Sequence, residues 1–387
     1  MTQGLQAEPR APDSDAEDLA AFRETIRQFV TSEIEPHINA WEEAGEFPRA
    51  LYPRAGELGL LGLGFPERYG GTPAGSHWMI AICEELARAG SGGLIAGLLS
   101  HGIGAPPIAG MGDEALKDEV LPAILAGEKI SALAITEPGG GSDVANLRTS
   151  ARRDGDHYVV NGSKTFITSG VRADYITTAV RTGDAGMGGV SLLLIPGDAP
   201  GLTRTALRKM GWWCSDTATL YFDDCRVPAR NLLGEENEGF RGIMMNFNNE
   251  RLMLAAMAYA FSRVCLDEAV AYARARETFG RPLIKRQVIR HKLVDMAGQL
   301  ALVRSHLYAL ARRVDDGEWP IAEVCMLKNS ATQCLELCAK EAVQIFGGAG
   351  YMRDTKVERI YRETKVLAIG GGAEEIMKDL AARQLGW

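Results

Sequence analysis

The apolar residues of this chain change their spacing twice, and that change limits the folds open to it. From Asp18 to about Ile130 they recur at helical intervals, as in Phe22, Ile26, Phe29 and Val30, and again in Ile80, Ile82 and Leu86. Glycine-rich connections such as GLGFPERYGGTPAG cut this section into short helices. Near residue 131 the runs become β-rich. DGDHYVVNGSKTFITSG reads as a hairpin turning at Asn161-Gly162, a pair suited to a type I′ turn, and ADYITTAV, GVSLLLIP and TATLYFDD read as further strands. From about Gly239 the helical period returns. Leu254, Met257, Phe261, Val264 and Leu266 open a long helix running to about Thr278, and two more follow over 286–314 and 321–347. The expected fold is α+β and multidomain. It has an arm (1–17), an N-terminal helical domain (18–130), a middle antiparallel β domain (131–237) and a C-terminal helical bundle (238–387).

Composition excludes several functions. A chain of 387 residues exceeds what one ordinary core fills, so several packed subdomains are expected. A net charge of −8 argues against a nucleic-acid or anionic-membrane partner, either of which would call for a basic face. No apolar run reaches the length of a membrane span. The first twenty residues lack both a secretory apolar core and the Arg-rich character of a transit peptide. The seven cysteines form no Cys-x-x-Cys and the six histidines are scattered. The sequence therefore predicts reduced thiols, no metal centre and a cytoplasmic location.

No Gly-x-Gly-x-x-Gly opens a helix after a strand, and the Walker phosphate loop is missing as well. Two other glycine-rich stretches stand out. AITEPGGGSDVAN (134–146) enters the β block, and its three consecutive glycines can turn backbone N–H groups toward a ligand. QIFGGAGYMRDTKVERIYRE (344–363) ends a helix at Gly347-Gly348, which suits a plain helix corner equally well.

Together, and in this order, the two stretches resemble the signatures of the acyl-CoA dehydrogenase family. NGSKTFITSG, SDTATLYFDDCRVP, ARARETFGRPL and IGGGAEEIM agree with it too, so the resemblance covers nearly the whole chain after the arm. It implies a four-helix C-terminal bundle, FAD as cofactor and an acyl-CoA substrate. In that family FAD lies between the β domain and the C-terminal helices and is clasped in part by a second subunit. Carried over by motif, Ile135, Thr136, Gly141 and Ser142 would line the flavin and its phosphates, with Phe166, Ile167 and Thr168 beside the ring. Phe166 stands where the family more often has Trp, which preserves an aromatic face. Arg276 and Phe279 of the Arg-x-x-Phe-Gly motif, Gln287, and Gln344, Gly347 and Gly348 would meet the neighbouring subunit's FAD. Ala373 and Glu375 of the terminal motif complete the expected cofactor set. The resemblance thus implies a homodimer or homotetramer.

The family's chemistry requires a carboxylate that takes the α proton of the thioester while the flavin accepts hydride from the β carbon. Many relatives carry that carboxylate in a Tyr-Glu-Gly-Thr segment near the C terminus. Here the segment reads Gly370-Gly371-Gly372-Ala373, and Gly371 stands where the Glu belongs. Relatives of the isovaleryl-CoA and long-chain types place the base in a Glu-Arg-Leu segment at the start of the long helix. This chain has Asn248-Asn249-Glu250-Arg251-Leu252 there. By this paired change the expected base is Glu250. Taken alone, a Glu in a helix's first turn is more simply explained by the macrodipole. Asn248, Arg251, Ser142, Gly371 and Gly372 are expected around the substrate, although relatives often have Asp at the Asn248 position. Reduced flavin would pass its electrons to an electron-transfer flavoprotein. An oxidase using O2, or a non-catalytic scaffold of the same fold, are the alternatives. Acyl chain length stays open.

Overall fold

The computed structural model describes residues 13–387. The first helix, Asp13–Phe29, starts five residues before the expected Asp18, and the rest of the expected arm lies outside the described residues. The chain packs as two units. One gathers the chain up to Ala40, Gly75–Gly92 and Arg251–Trp387; the other holds Trp41–Ala74 and Gly93–Glu250.

The second unit is built on an eight-stranded sheet of β1 (Ser131–Ala134), β2 (Ser150–Asp154), β3 (His157–Thr168), β4 (Tyr175–Arg181), β5 (Val190–Pro196), β6 (Leu202–Ala206), β7 (Thr217–Pro228) and β8 (Leu232–Leu233). The order is β6-β7-β3-β2-β4-β5-β8, with β1 pairing β4. Most ladders are antiparallel, as expected, but β1 runs parallel to β4 and β2 meets β4 in parallel through Ser150 and Arg181. Val190 to Ile195 are all buried, the pattern of a strand covered on both faces. Leu192 and Leu194 of β5 pack with Leu121, Ile124 and Leu125 of the Glu114–Leu125 helix in one core. Asp113 starts that helix by accepting the Leu116 N–H at 2.7 Å.

The hairpin expected at Asn161-Gly162 is not there. The β2–β3 turn falls at Gly155-Asp156, with Gly155 at φ 63°, and β3 runs unbroken through Asn161 and Gly162. The β3–β7 register shifts between Val160 and Gly162, so the pair forms a bulge. Gly162 is required because a β carbon there would lie 2.7 Å from Thr149 Cα. Asn161 is held by paired bonds with Asp224, side chain to side chain at 3.0 Å and backbone to side chain at 2.9 Å.

The first unit is helical. Its C-terminal part contains the end of the 37-residue helix Gly239–Ala275, then Gln287–Asp315, Ile321–Phe346, Lys356–Ile369 and the short Glu374–Gln384. The long helix stops short of Thr278 because Glu277–Thr278 instead pairs with Arg281–Pro282. Thr355 caps Lys356–Ile369 by accepting the Glu358 N–H at 3.4 Å. Buried Glu84 and Glu85 are matched by Arg23, Arg27 and Arg263. Breaking such a buried pair from one side costs about 3–5 kcal/mol, so this network holds the helices in register. All seven cysteines are free and buried. Among the described residues no single helix is long and apolar enough to cross a membrane, and no cluster of His, Cys, Asp and Glu could hold a metal ion.

Candidate active site

The glycine loop after β1 is stitched to β3. The Thr165 N–H donates to the Thr136 carbonyl at 2.8 Å, and Lys164 Nζ donates to the Ile135 carbonyl at 2.9 Å. Ile135 is buried and Thr136 half-buried, whereas Gly139 to Asp143, including Gly141 and Ser142, are exposed. A β carbon at Gly139 or Gly140 would meet nothing within 4 Å. The loop thus offers an open backbone face. The β3–β7 register shifts again between Lys164 and Ile167, and there Phe166 takes φ 61° with its side chain projecting. Phe166 is 69% exposed, while Ile167 is buried and Thr168 half-buried. A bulky residue at positive φ in a strand is uncommon and costs about 1–3 kcal/mol. Spending that on an exposed ring suits a platform for a planar ligand. An open loop for phosphates beside an aromatic face fits FAD.

The long helix begins at Gly239, so Asn248, Glu250 and Arg251 share one turn well inside it and Glu250 does not stand in the expected first turn. Asn248 is buried, and its Oδ1 has no hydrogen-bond partner among the described residues. Glu250 is half-buried. Arg251 is buried, and its Nε donates to the Gly371 carbonyl at 3.1 Å. Gly371 and Gly372 have φ 65° and 108°, values that only glycine adopts easily. Lys328 Nζ, fully buried, donates to the carbonyls of Gly372 at 2.8 Å and Ala368 at 3.2 Å. Ala373 precedes the Glu374–Gln384 helix, and Glu375 lies exposed in its first turn. The structure therefore joins Arg251 to the terminal glycine loop.

A third group gathers at one end of the helical unit. Tyr272 stacks on Phe346 with ring centroids 4.2 Å apart, which ties the end of the long helix to the Gln344–Gly348 corner. The Arg276 N–H donates to the Tyr272 carbonyl at 2.8 Å. Phe279 and Gly280, at φ 49° and 74°, make the hairpin turn, leaving Phe279 96% exposed with the Arg286 guanidinium 5.5 Å from its ring centre. Arg276, Gln287, Gln344, Gly347 and Gly348 are exposed as well. This end presents a cation, an aromatic ring and bare backbone outward.

Comparison with known proteins gives these features a frame. Sequence profiles for the acyl-CoA dehydrogenase N-terminal, middle and C-terminal domains match residues 16–128, 132–225 and 237–386. The chain belongs to the acyl-CoA dehydrogenase family. It is 52% identical to a probable acyl-CoA dehydrogenase of Mycobacterium abscessus whose crystal structure superposes with a TM-score of 0.93, covering 95% of this chain and 98% of that one. It is 36% identical to the cyclohexane-1-carbonyl-CoA dehydrogenase of Geobacter metallireducens, covering 96% of this chain and 98% of the relative. It is also 36% identical to the mitochondrial long-chain specific acyl-CoA dehydrogenase of Sus scrofa, covering 94% of this chain and 85% of the relative. The protein is an acyl-CoA dehydrogenase enzyme of a flavin-dependent family.

The site contains residues that sequence reasoning passed over. Lys164 is fully buried and pairs with Glu137 at 2.8 Å. Burial pushes its ammonium down to about 8, against the pull of Glu137. Burial pushes the Glu137 carboxyl up, but Lys164 and bonds from Arg148 and Thr149 outweigh it and hold the group below the usual carboxylate range. A signal was present. Counting alternate residues from the inward-facing Tyr158 and Val160 brings Lys164 to an inward position, where a charge needs a partner.

Proposed function

We propose that this enzyme desaturates an acyl-CoA thioester between its α and β carbons to the trans-2-enoyl-CoA, with Glu250 as the α-proton base. The observation that carries the reading is the Arg251–Gly371 hydrogen bond. The residue after Glu250 is bonded to the loop in which the commoner base is absent. Glu250 would accept the α proton on a carboxylate oxygen. A thioester α proton is weakly acidic, and a carboxylate becomes a stronger base once the acyl group displaces water. Buried Asn248 and Arg251 would keep water from that segment, and the unpartnered Asn248 Oδ1 is free to accept a hydrogen bond from substrate.

FAD, when bound, would supply the acceptor for hydride leaving the β carbon. Ile135, Thr136, Gly141 and Ser142 would hold its phosphates and ring edge, and Phe166, Ile167 and Thr168 would flank the ring. Arg276, Phe279, Gln287, Gln344, Gly347 and Gly348 would serve a neighbouring subunit's cofactor, Arg276 through guanidinium–phosphate bonds, with Ala373 and Glu375 completing the cofactor set. The working form would then be at least a dimer. An electron-transfer flavoprotein would take the electrons onward.

The test is anaerobic bleaching of bound flavin by a panel of acyl-CoAs, comparing wild type with Glu250→Gln. Gln keeps the size and much of the hydrogen bonding but cannot take the proton. The variant should retain FAD and bleach at least about a hundredfold more slowly, the lower range for loss of a general base. Equal bleaching by both proteins would remove Glu250 from the role.

A further inference from the structure

Beneath the 138–147 loop lies a charged network that touches neither substrate nor cofactor in the reading above. Glu137, at the loop's start, accepts the Arg148 N–H on Oε2 at 2.7 Å and the Thr149 N–H on Oε1 at 2.9 Å. One carboxylate therefore closes the loop from end to end. Lys164 Nζ donates to the same Oε1 at 2.8 Å and to the Ile135 carbonyl at 2.9 Å. Arg181, at the end of β4, takes the other arm. Its Nη2 donates to the carbonyls of Ala145 at 2.6 Å and Leu147 at 3.1 Å, and its backbone N–H donates to the Thr149 carbonyl at 2.7 Å.

We propose that Glu137, Lys164 and Arg181 are positioning residues that hold the glycine loop in its ligand-accepting shape before any cofactor arrives. The proposal rests on the reading of that loop as a flavin site. A run of three glycines without anchors would lose much conformational freedom on binding, whereas a pre-closed loop loses it on folding. The chemistry explains why the closing group is a carboxylate. Both Glu137 oxygens are in use as acceptors, for two N–H groups and an ammonium. An amide offers one acceptor oxygen and turns donors toward the remaining partners. The cation matters for the same reason. Lys164 faces Glu137, which attracts its charge, and Arg181, which repels it, in a site where burial already brings its ammonium to about 8. Above that pH the carboxylate loses its cation, and cofactor affinity should decline.

Two measurements on the full-length protein, as purified and after removal of cofactor, test this. In cofactor-free protein the amides of Arg148 and Thr149 should be protected from hydrogen exchange, and Glu137→Gln should expose them at least about tenfold, the scale of one lost charge-assisted hydrogen bond. In FAD titrations Glu137→Gln and Lys164→Met should each weaken binding by at least about tenfold. Wild-type affinity should fall as pH passes 8, and the profile of Lys164→Met should be flat there. If Lys164→Met does not fold, Glu137→Gln decides. A folded Glu137→Gln protein with wild-type amide protection and wild-type FAD affinity would overturn the proposal, as would a Lys164→Met profile that tracks wild type. A wild type that takes up no FAD, with amides that still open in Glu137→Gln, would strike the flavin reading and leave the clamp standing.

Discussion

The two glycine runs of this protein, 139–141 and 370–372, look interchangeable as text but answer to different physics. In the first, none of the three residues has positive φ, and a β carbon at Gly139 or Gly140 would enter open space. Its shape comes from charged groups below it, Glu137, Lys164 and Arg181. In the second, Gly371 and Gly372 both have positive φ, and a β carbon at Gly372 would run into the Met377 terminal methyl. There Arg251 and Lys328 take the carbonyls of a chain that must turn sharply. Glycine in the first run leaves room for something outside the chain, and in the second it lets the chain itself pass.

That distinction can be broken by substitution. Gly372→Ala should cost about 1–3 kcal/mol, because φ 108° is strained for any residue with a β carbon whatever space Met377 yields. Thermal unfolding of cofactor-free protein measures it, and an unchanged midpoint would erase the second half of the contrast. Phe166→Gly tests the platform beside the first run. It removes the strain of φ 61° from an exposed site, so the midpoint should not fall, while loss of a stacking ring should weaken FAD binding by roughly tenfold. A clear drop in stability with unaltered FAD affinity would make Phe166 a structural residue. Gly140→Ala should have the smallest effect on folding, within about 0.5 kcal/mol, because its β carbon meets nothing. Any effect of that change should appear in FAD affinity. If Gly140→Ala destabilises the protein as much as Gly372→Ala does, the two runs are alike after all.

The helices were the easiest elements to read. The runs expected over 286–314 and 321–347 appear as Gln287–Asp315 and Ile321–Phe346, because a period of 3.6 sustained over many residues outweighs end effects. The β domain was readable as strands but not as pairings. Asn161-Gly162 carried the local chemistry of a hairpin turn and became a bulge, since β3 continues to pair with β7 on either side of it. The two-residue ladder that shortens the long helix gave no periodic signal, and its turn holds Phe279 at φ 49°, a residue type that turn rules do not favour there.

The Glu250-Arg251-Leu252 motif and the glycine at position 371 were both written in the chain, because each is a short segment that is read locally. So were the family and the order of helical and β segments, whereas the exposure of Phe166 appeared only with the β3 bulge. The clamp under the glycine loop was not. Glu137 and Lys164 stand 27 residues apart, and Arg181 and Ala145 stand 36 apart. Which charge meets which carbonyl depends on strand register and on two bulges. A one-residue slip in β3 would turn Lys164 to the other face, so the partnership exists only once the sheet has formed.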